Sequence, residues 1–390
     1  MERMIKELGE IITGNTPSKE IGEFWNSKDI CFIKPDIISD DRVNTISESN
    51  EYVSKAAKKK ARVVTKDAVF VTCIGSIGKI GIASEGEYAF NQQINAIVPN
   101  KKIIPRYLAY DLFFNKPRLF AIANAPVVPI INKSQFGEFT INMEEDIHKQ
   151  SKIVNVLDKL THIIEKRVKE LSMLDDLIKA RFVELFGDSI KNPKGWDVVK
   201  LSECLERIDN GKSFTCDSNA REGAFPAILK LSAATYGDYR PYENKALLDE
   251  KQFVESVEVH RGDLLFTRKN TPDLVGMAAY VFETPEKLMM PDLIFRLVTN
   301  ERMTPIFLGQ LINNREFRPV IQGISGGSAK SMSNISKERL KNIEVICPLI
   351  SEQKKLEGVL EQVNKSKVVV QKALDETQKL FDSLMQQYFG

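Results

Sequence analysis

The sequence predicts an α+β protein built twice over: two similar globular domains with substantial β-sheet, separated by two long antiparallel helices that pair as a coiled coil. Three observations predict it. The chain repeats itself at an offset of about 200 residues, each copy carries short β-type runs broken by Gly, Pro and Asn, and each copy closes on a long heptad-patterned stretch.

The repeat is read by sliding the chain along itself. NKKIIPRYLAYDLFFN (100–115) lies over NERMTPIFLGQLINN (300–314), placing Pro105 on Pro305 and Leu108 on Leu308. INKSQF (131–136) matches ISKERL (335–340), HKQSKIVNVLDKL (148–160) matches SEQKKLEGVLEQV (351–363), and ELFG (184–187) meets QYFG (387–390). Earlier parts align more loosely, with Leu8 placed on Leu201 and Arg3 therefore opposite Trp196. So long a period excludes a solenoid and means two copies of a domain-plus-helix unit.

Within each copy, AVFVTCIG, INAIVP, DLLFT, LIFRLV and IEVICP read as strands, and Pro105 and Pro305 suit the first turn of short helices. Between residues 147 and 186 there is neither proline nor glycine. Leu157, Ile164, Leu171, Ile178 and Leu185 form one apolar line. Ile153, Leu160 and Leu174 form the other, interrupted by Arg167 and Arg181, with Val154, Val168 and Phe182 widening the stripe. The second copy repeats the pattern with Leu360, Leu374 and Phe381 on one line and Leu356, Val363, Val370 and Leu384 on the other. The expected boundaries are 1–143 for the first domain, 144–189 for the first long helix, 190–348 for the second domain and 349–390 for the second long helix.

Composition narrows the function classes. The longest uncharged stretch, residues 119–132, is fourteen residues with two prolines, against the roughly 20 apolar residues a membrane helix needs. Five cysteines without a CxxC pair argue against a disulfide framework or a Cys-rich zinc site, and a reducing cytoplasm is the expected home. The three histidines, His148, His162 and His260, have no carboxylate at ligand spacing. With 55 basic and 53 acidic residues the net charge is +2, so a nucleic-acid site must come from local patches. Two diverged domains related by a pseudo-dyad suit two separated half-sites on a duplex, where same-face groove sites recur every ~34–36 Å.

At this point the chain resembles the DNA-specificity subunit of type I restriction-modification systems, along essentially its whole length. The residues carrying the resemblance are INKSQFGEFTINMEEDIHKQSKIVNVLDKL, its repeat ISKERLKNIEVICPLISEQKKLEGVLEQV, and the joint LFGD…NPKGWDVVKLSEC. Pro348, Leu349, Glu352 and Gln353 fit the family's Pro-Leu step followed by Glu-Gln. The first copy departs there and keeps only Gln150. The resemblance implies a non-catalytic subunit that reads a bipartite duplex target. It implies helices that set the spacing and dock two methyltransferase subunits for adenine methylation, and a translocase-nuclease subunit that joins for cleavage. S-adenosylmethionine, ATP and magnesium then belong to those partners, and this chain needs no cofactor or metal.

The residues agree. An (N/D)PP(Y/F) loop for a flipped adenine is missing, Asn192-Pro193-Lys194-Gly195 being the nearest string, and Gly75 to Gly81 reads GxxGKxG, which is no P-loop. Pro35-Asp36 has no following nuclease partner in its domain. The alternative from another class is a bivalent protein-binding scaffold that never meets DNA, which near-zero net charge would suit.

Candidates for DNA contact are polar and basic residues in loops that differ between the copies. In the first domain these are Lys34, Ser76, Lys79, Asn91, Gln92 and Gln93, with the basic run Lys55, Lys58, Lys59, Lys60 and Arg62 offered to phosphates or simply to solvent. Asn91-Gln92-Gln93 could equally turn the backbone, and residues 126–131 form an apolar loop expected to pack. In the second domain Arg268, Lys269, Asn270 and Thr271 follow a strand, with Lys230, Arg240, Ser328 and Lys330 beside them. Residues 325–328 could lend backbone N–H groups to a phosphate. The domain balances are weak, 19 basic to 16 acidic over 1–143 and 22 to 21 over 190–348.

Overall fold

The computed structural model describes residues 1–123, 128–326 and 332–390. The chain forms two compact units, Met1–Val168 with Lys372–Gly390, and Lys169–Gln371. The two long helices, Ile147–Phe186 and Ile350–Phe389, are forty residues each, so each unit takes one globular segment and a part of both helices.

In the first unit a five-stranded sheet runs in the order Gly9–Thr13, Ile94–Pro99, Val69–Thr72, Ile80–Ala83, Asn44–Ile46. A four-stranded sheet (Glu51–Val53, Ile30–Ile33, Glu87–Phe90, Val63–Thr65) covers one face. Helices Pro105–Phe114 and Lys133–Glu138 and the long helices cover the other. The strand residues alternate between these two layers. Val69 and Val71 pack with the helices, and Phe70 packs with Tyr88 and Phe90 of the second sheet. Burial on both faces is why VFVT is apolar up to Thr72 rather than alternating.

The second unit repeats the plan. Its four-stranded sheet runs Leu205–Asn210, Ile294–Thr299, Leu264–Thr267, Ala278–Tyr280, with Leu264 and Phe266 toward the helices and Leu265 toward the smaller sheet built on Ala227–Leu229. In both units a two-stranded ribbon closes the base: Glu2–Met4 with Thr140–Asn142, and Asp197–Lys200 with Glu344–Cys347.

The ribbons correct one expected alignment. Ile5 N–H donates to Phe139 O and Leu201 N–H to Ile343 O, so Leu201 is opposite Ile5, Cys204 opposite Leu8, and Arg3 opposite Val199 rather than Trp196. Backbone pairing, not the recurrence of leucine, sets this register.

Within each unit the helix segments are antiparallel. In the first, Tyr110 bonds Asp158 and Thr161 of one helix and packs its ring on Phe381 of the other, while Arg167 donates to Ala373 O and Thr377 Oγ1. In the second, Lys367 pairs with Asp175 at 2.7 Å while Phe182 and Phe186 share a core with Leu356 and Leu360. The predicted seam residues, Ile153 through Leu185 and Leu356 through Leu384, are all buried or half-buried. Val168 does not widen the stripe; it is exposed, while its neighbour Arg167 is the residue that reaches the other helix, at Ala373 O and Thr377 Oγ1.

Candidate nucleic-acid interface

Both domains build the same rim from different side chains. In the first, Thr72 is buried at the end of its strand. Its hydroxyl donates to Ser76 O and accepts Lys79 N–H at 2.9 Å, while its carbonyl accepts Gly78 N–H. Gly78 has φ +78°, and a Cβ there would meet Lys116 Cγ at 2.7 Å. The clasped hairpin leaves Ser76 in solvent.

Beside it lies the 91–93 turn. Asn91 is buried; its Nδ2 donates to Gln93 Oε1 and its Oδ1 accepts Gln93 N–H, so its amide shapes the turn. Gln92 is exposed and accepts from Thr16 Oγ1 at 2.9 Å, and Gln93 O accepts Cys73 N–H, joining turn and hairpin. Gly14 runs so close that a Cβ would overlap the Asn91 carbonyl. The next residue, Asn15, donates to Lys60 O at 2.6 Å and accepts Arg62 N–H at 2.8 Å, and the Arg62 guanidinium donates to Thr13 O. Asn15 thus ties the basic run to the rim. Neither Asn15 nor Thr16 was singled out from sequence, although the short GNT string after an apolar strand was the available signal.

The remaining basic candidates differ in how free they are. Lys34 forms an ion pair with Glu51 and holds that carboxyl below its ordinary range. Lys79 Nζ donates to Pro35 O at 3.2 Å. Lys58 pairs with Glu87, whereas Lys55, Lys59 and Lys60 extend from the short 3-10 turn Lys55–Lys59 and its flank into solvent.

The second domain repeats each backbone device. Buried Thr267 accepts Met277 N–H at 2.9 Å on its hydroxyl and Gly276 N–H at 2.8 Å on its carbonyl; Gly276 has φ +75° and its Cβ would overlap Ile321. Gly211 passes the Pro291 carbonyl as Gly14 passes Asn91, and exposed Lys212 and Ser213 follow it. Arg268 N–H donates to Leu293 O and Arg268 O accepts Ile335 N–H, matching Cys73 with Gln93 and Ile131.

Arg268 therefore stands where the first domain has buried Cys73. Its guanidinium lies 4.8 Å over the Phe295 ring and donates to Asn334 Oδ1 at 3.3 and 3.4 Å. Lys269 and Asn270 pair as a short strand with Ser333–Asn334. Asn270 is buried, its Nδ2 donating to Thr235 Oγ1 and its Oδ1 accepting Thr271 N–H, so its amide holds the loop, while Thr271 is exposed. Lys337, at the start of a short helix, donates to Ile208 O and also lies over Phe295.

Lys230, at the end of Ala227–Leu229 as Lys34 is at the end of Ile30–Ile33, pairs with Glu243 at 3.6 Å. Arg240 is held by Asp238 at 2.9 Å and stacks 4.5 Å over the exposed Tyr236 ring. Ser328, Lys330 and part of the 126–131 and 325–328 loops lie outside the described residues.

A second duplicated device sits where each domain meets its long helix. Gln150 is fully buried; its Oε1 accepts Ile104 N–H at 2.8 Å and its Nε2 donates to Glu144 O at 2.7 Å and Lys102 O at 3.3 Å. Gln353, equally buried, accepts Thr304 N–H at 2.8 Å and donates to Pro348 O at 2.7 Å and Arg302 O at 3.0 Å. One side chain satisfies three backbone groups at each joint, which is why this glutamine survives in both copies while its neighbours diverge.

Among the described residues no group of three or more His, Cys, Asp or Glu side chains is placed to hold a metal ion, and no helix is long and apolar enough to cross a membrane.

The comparisons with known proteins follow the duplication. A family model described as type I restriction modification DNA specificity domain matches residues 1–172 and again 193–376. The type I restriction enzyme EcoEI specificity subunit of Escherichia coli is 29% identical over 172 residues, covering 43% of this chain and 29% of that protein. The type I restriction enzyme MjaIX specificity subunit of Methanocaldococcus jannaschii is 27% identical over 231 residues, covering 54% of this chain and 52% of that protein. The chain thus spans about half or less of these curated relatives. The crystal structure of the type I restriction-modification S subunit from M. genitalium superposes with a TM-score of 0.63 at 14% identity, covering 100% of this chain and 96% of that one. A chain from a structure of type I R-M complex assembly and conformational transition superposes with a TM-score of 0.52 at 16% identity, covering 100% and 97%. Both share the fold. With the family model matching both copies, the chain belongs to the type I restriction-modification DNA specificity domain family.

Proposed function

We propose that this chain is the non-catalytic reader of a type I restriction-modification complex, each domain recognising one half of a bipartite duplex target. The carrying observation is the rim built twice on the same backbone bonds with different side chains outermost. In this reading Gln92, Gln93, Ser76 and Thr16 approach base edges in one half-site, and Arg268, Lys269 and Thr271 do so in the other. Amides suit adenine and a guanidinium suits guanine. Lys55, Lys59, Lys60, Arg62 and Lys212 face phosphates. The domains are 1–143 and 190–348. The helices, 144–189 and 349–390, set the spacing and dock two methyltransferase subunits, with a translocase-nuclease subunit joining for cleavage. S-adenosylmethionine, ATP and magnesium are bound by those partners.

The test is co-expression with the partner methyltransferase in a methylation-free host and single-molecule sequencing of adenine methylation. A split motif, two short blocks around a fixed gap, is the expected result, and exchanging residues 268–271 should change one block only. No methylation from a purified, stable complex would overturn the reading.

A bivalent protein scaffold is the second reading, favoured by a net charge of only +2. Duplex binding whose log K falls with log salt by about 0.9 per phosphate neutralised separates the two.

A further inference from the structure

Cys204 and Cys347 face each other at the base of the second domain with their sulfurs 3.9 Å apart. Cys204 is fully buried after the short turn Leu201–Glu203, and Cys347, partly exposed, ends the strand Glu344–Cys347. The duplication supplies an internal control. Asn300 N–H donates to Cys204 O as Asn100 N–H donates to Leu8 O. Cys347 precedes the Pro348 carbonyl that Gln353 holds, as Met143 precedes the Glu144 carbonyl that Gln150 holds. Leu8 and Met143 are buried in the first core. Packing at this place is therefore met by ordinary apolar side chains, and the second copy has replaced both of them with thiols in contact.

The surroundings favour reaction at one sulfur. The Cys204 thiol donates to Cys347, and the Arg302 guanidinium lies close; together they bring Cys347 below the ordinary thiol range, while the same contact and burial push Cys204 up. The other three thiols have no such partner. Cys73 is buried and pushed up to about 12, and burial raises Cys31 and Cys216. A low-lying, partly exposed thiolate beside a resolving thiol is the arrangement in which oxidation is selective.

We propose that Cys204 and Cys347 are a modification site: a dithiol that a hydroperoxide oxidises to a disulfide, stapling the closing strand of the second domain to the turn at its start. The Cys347 thiolate attacks the nearer peroxide oxygen, the O–O bond breaks, and the departing alkoxide or hydroxide takes a proton from water, leaving a sulfenic acid on Cys347. The Cys204 sulfur then attacks the Cys347 sulfur, the S–O bond breaks, and the hydroxide leaves as water with the Cys204 proton. In sum, two thiols and one hydroperoxide give one disulfide, one alcohol (or water) and one water. The sulfurs must close from 3.9 Å to about 2.05 Å. The bond would lie directly beside the Gln353 joint, since Gln353 Nε2 and the Cys347 thiol share the Arg302 carbonyl. This site is independent of whether the domains read DNA.

The test is hydrogen peroxide titration of the full native chain, with alkylation and non-reducing peptide mass spectrometry. The expected result is a linked Cys204–Cys347 peptide, formed about tenfold faster than Cys31 or Cys216 is modified. It should raise Tm by several degrees, and dithiothreitol should reverse both changes. Cys204→Leu combined with Cys347→Met copies the first domain, should fold normally, and should give no Tm response to peroxide. The proposal is overturned if Cys347 proceeds to sulfinic acid without linking. It is equally overturned if the link forms only in denaturant, or if the double variant responds to peroxide like the native chain.

Discussion

The two domains agree in their backbone bonds and disagree in what those bonds present. Thr72 and Thr267 clasp equivalent hairpins, Gly78 and Gly276 turn them, and Gln150 and Gln353 lock the joints. Yet the position held by buried Cys73 in one hairpin carries the Arg268 guanidinium in the other. The second hairpin is also longer, from Thr267 to Gly276 against Thr72 to Gly78. The lesson is that an exposed rim can diverge freely when the bonds holding it use main-chain groups and buried side chains that the rim does not share.

That equivalence can be broken or sharpened by substitution. The largest effect is expected at the joints. Gln353→Leu orphans Thr304 N–H and Pro348 O and leaves Arg302 O only the weak Cys347 thiol, and should cost about 3 kcal/mol in denaturant unfolding. Gln150→Leu should cost the same within about 1 kcal/mol. A negligible cost at either one would break the comparison.

Next is a difference between the copies. Asp111 stands where the second domain has buried Leu311. Its Oδ2 is buried without a hydrogen-bond partner among the described residues, and burial pushes its pKa up to about 8. With the folded value above the ordinary 3.8, the protonated form favours the fold. That stability is present in full below the ordinary value and is lost as pH rises through about 8. Asp111→Asn should therefore flatten the decline in Tm between pH 5 and 8 and leave the variant the more stable of the two at the alkaline end. An unchanged pH profile would count against a protonated Asp111.

The glycines follow. Gly276→Ala should destabilise by about 2 kcal/mol, from its left-handed backbone and the branched Ile321 it would strike. Gly78→Ala should cost less, about 1 kcal/mol from its left-handed backbone plus the displacement of Lys116, whose Cγ it would strike and whose partner, Asp40, is an exposed carboxylate. Equal costs would mean that backbone strain alone decides.

Arg268→Ala should change stability least, by up to about 1 kcal/mol from its lost contacts with Phe295 and Asn334. In the methylation experiment it should relax one half-site by about 10- to 100-fold while leaving the other untouched.

Much of this was legible in the sequence. Residues 147–186 carry no proline or glycine and hold a heptad pattern, and the helix occupies Ile147–Phe186. Pro105 and Pro305 do begin helices. Periodicity reports burial on one side, so Val168 looked apolar enough to pack but is exposed beside Arg167. What the sequence withheld was the spending of polar groups. Asn91 and Asn270 carry the same amide as Gln92 and Gln93 carry, yet they are turned inward to hold their loops. Asn15 ties the basic run to the rim through bonds to residues 45 and 47 positions away. Such choices are settled by which neighbour arrives in space, and no local pattern encodes them. The slipped alignment of Leu8 has the same origin, since strand pairing and not residue identity fixes the register.

The first core has a consequence for synthesis. Tyr107 and Phe114 pack on Phe389, and Tyr110 on Phe381, so the unit that begins at Met1 is completed by residues 372–390. The second unit is one continuous span of chain. A ribosome therefore finishes the second unit before it finishes the first, whose aromatic face waits uncovered while residues 169–371 are made. A product that stops short of Phe381 therefore leaves Tyr107, Tyr110 and Phe114 without the rings that pack on them.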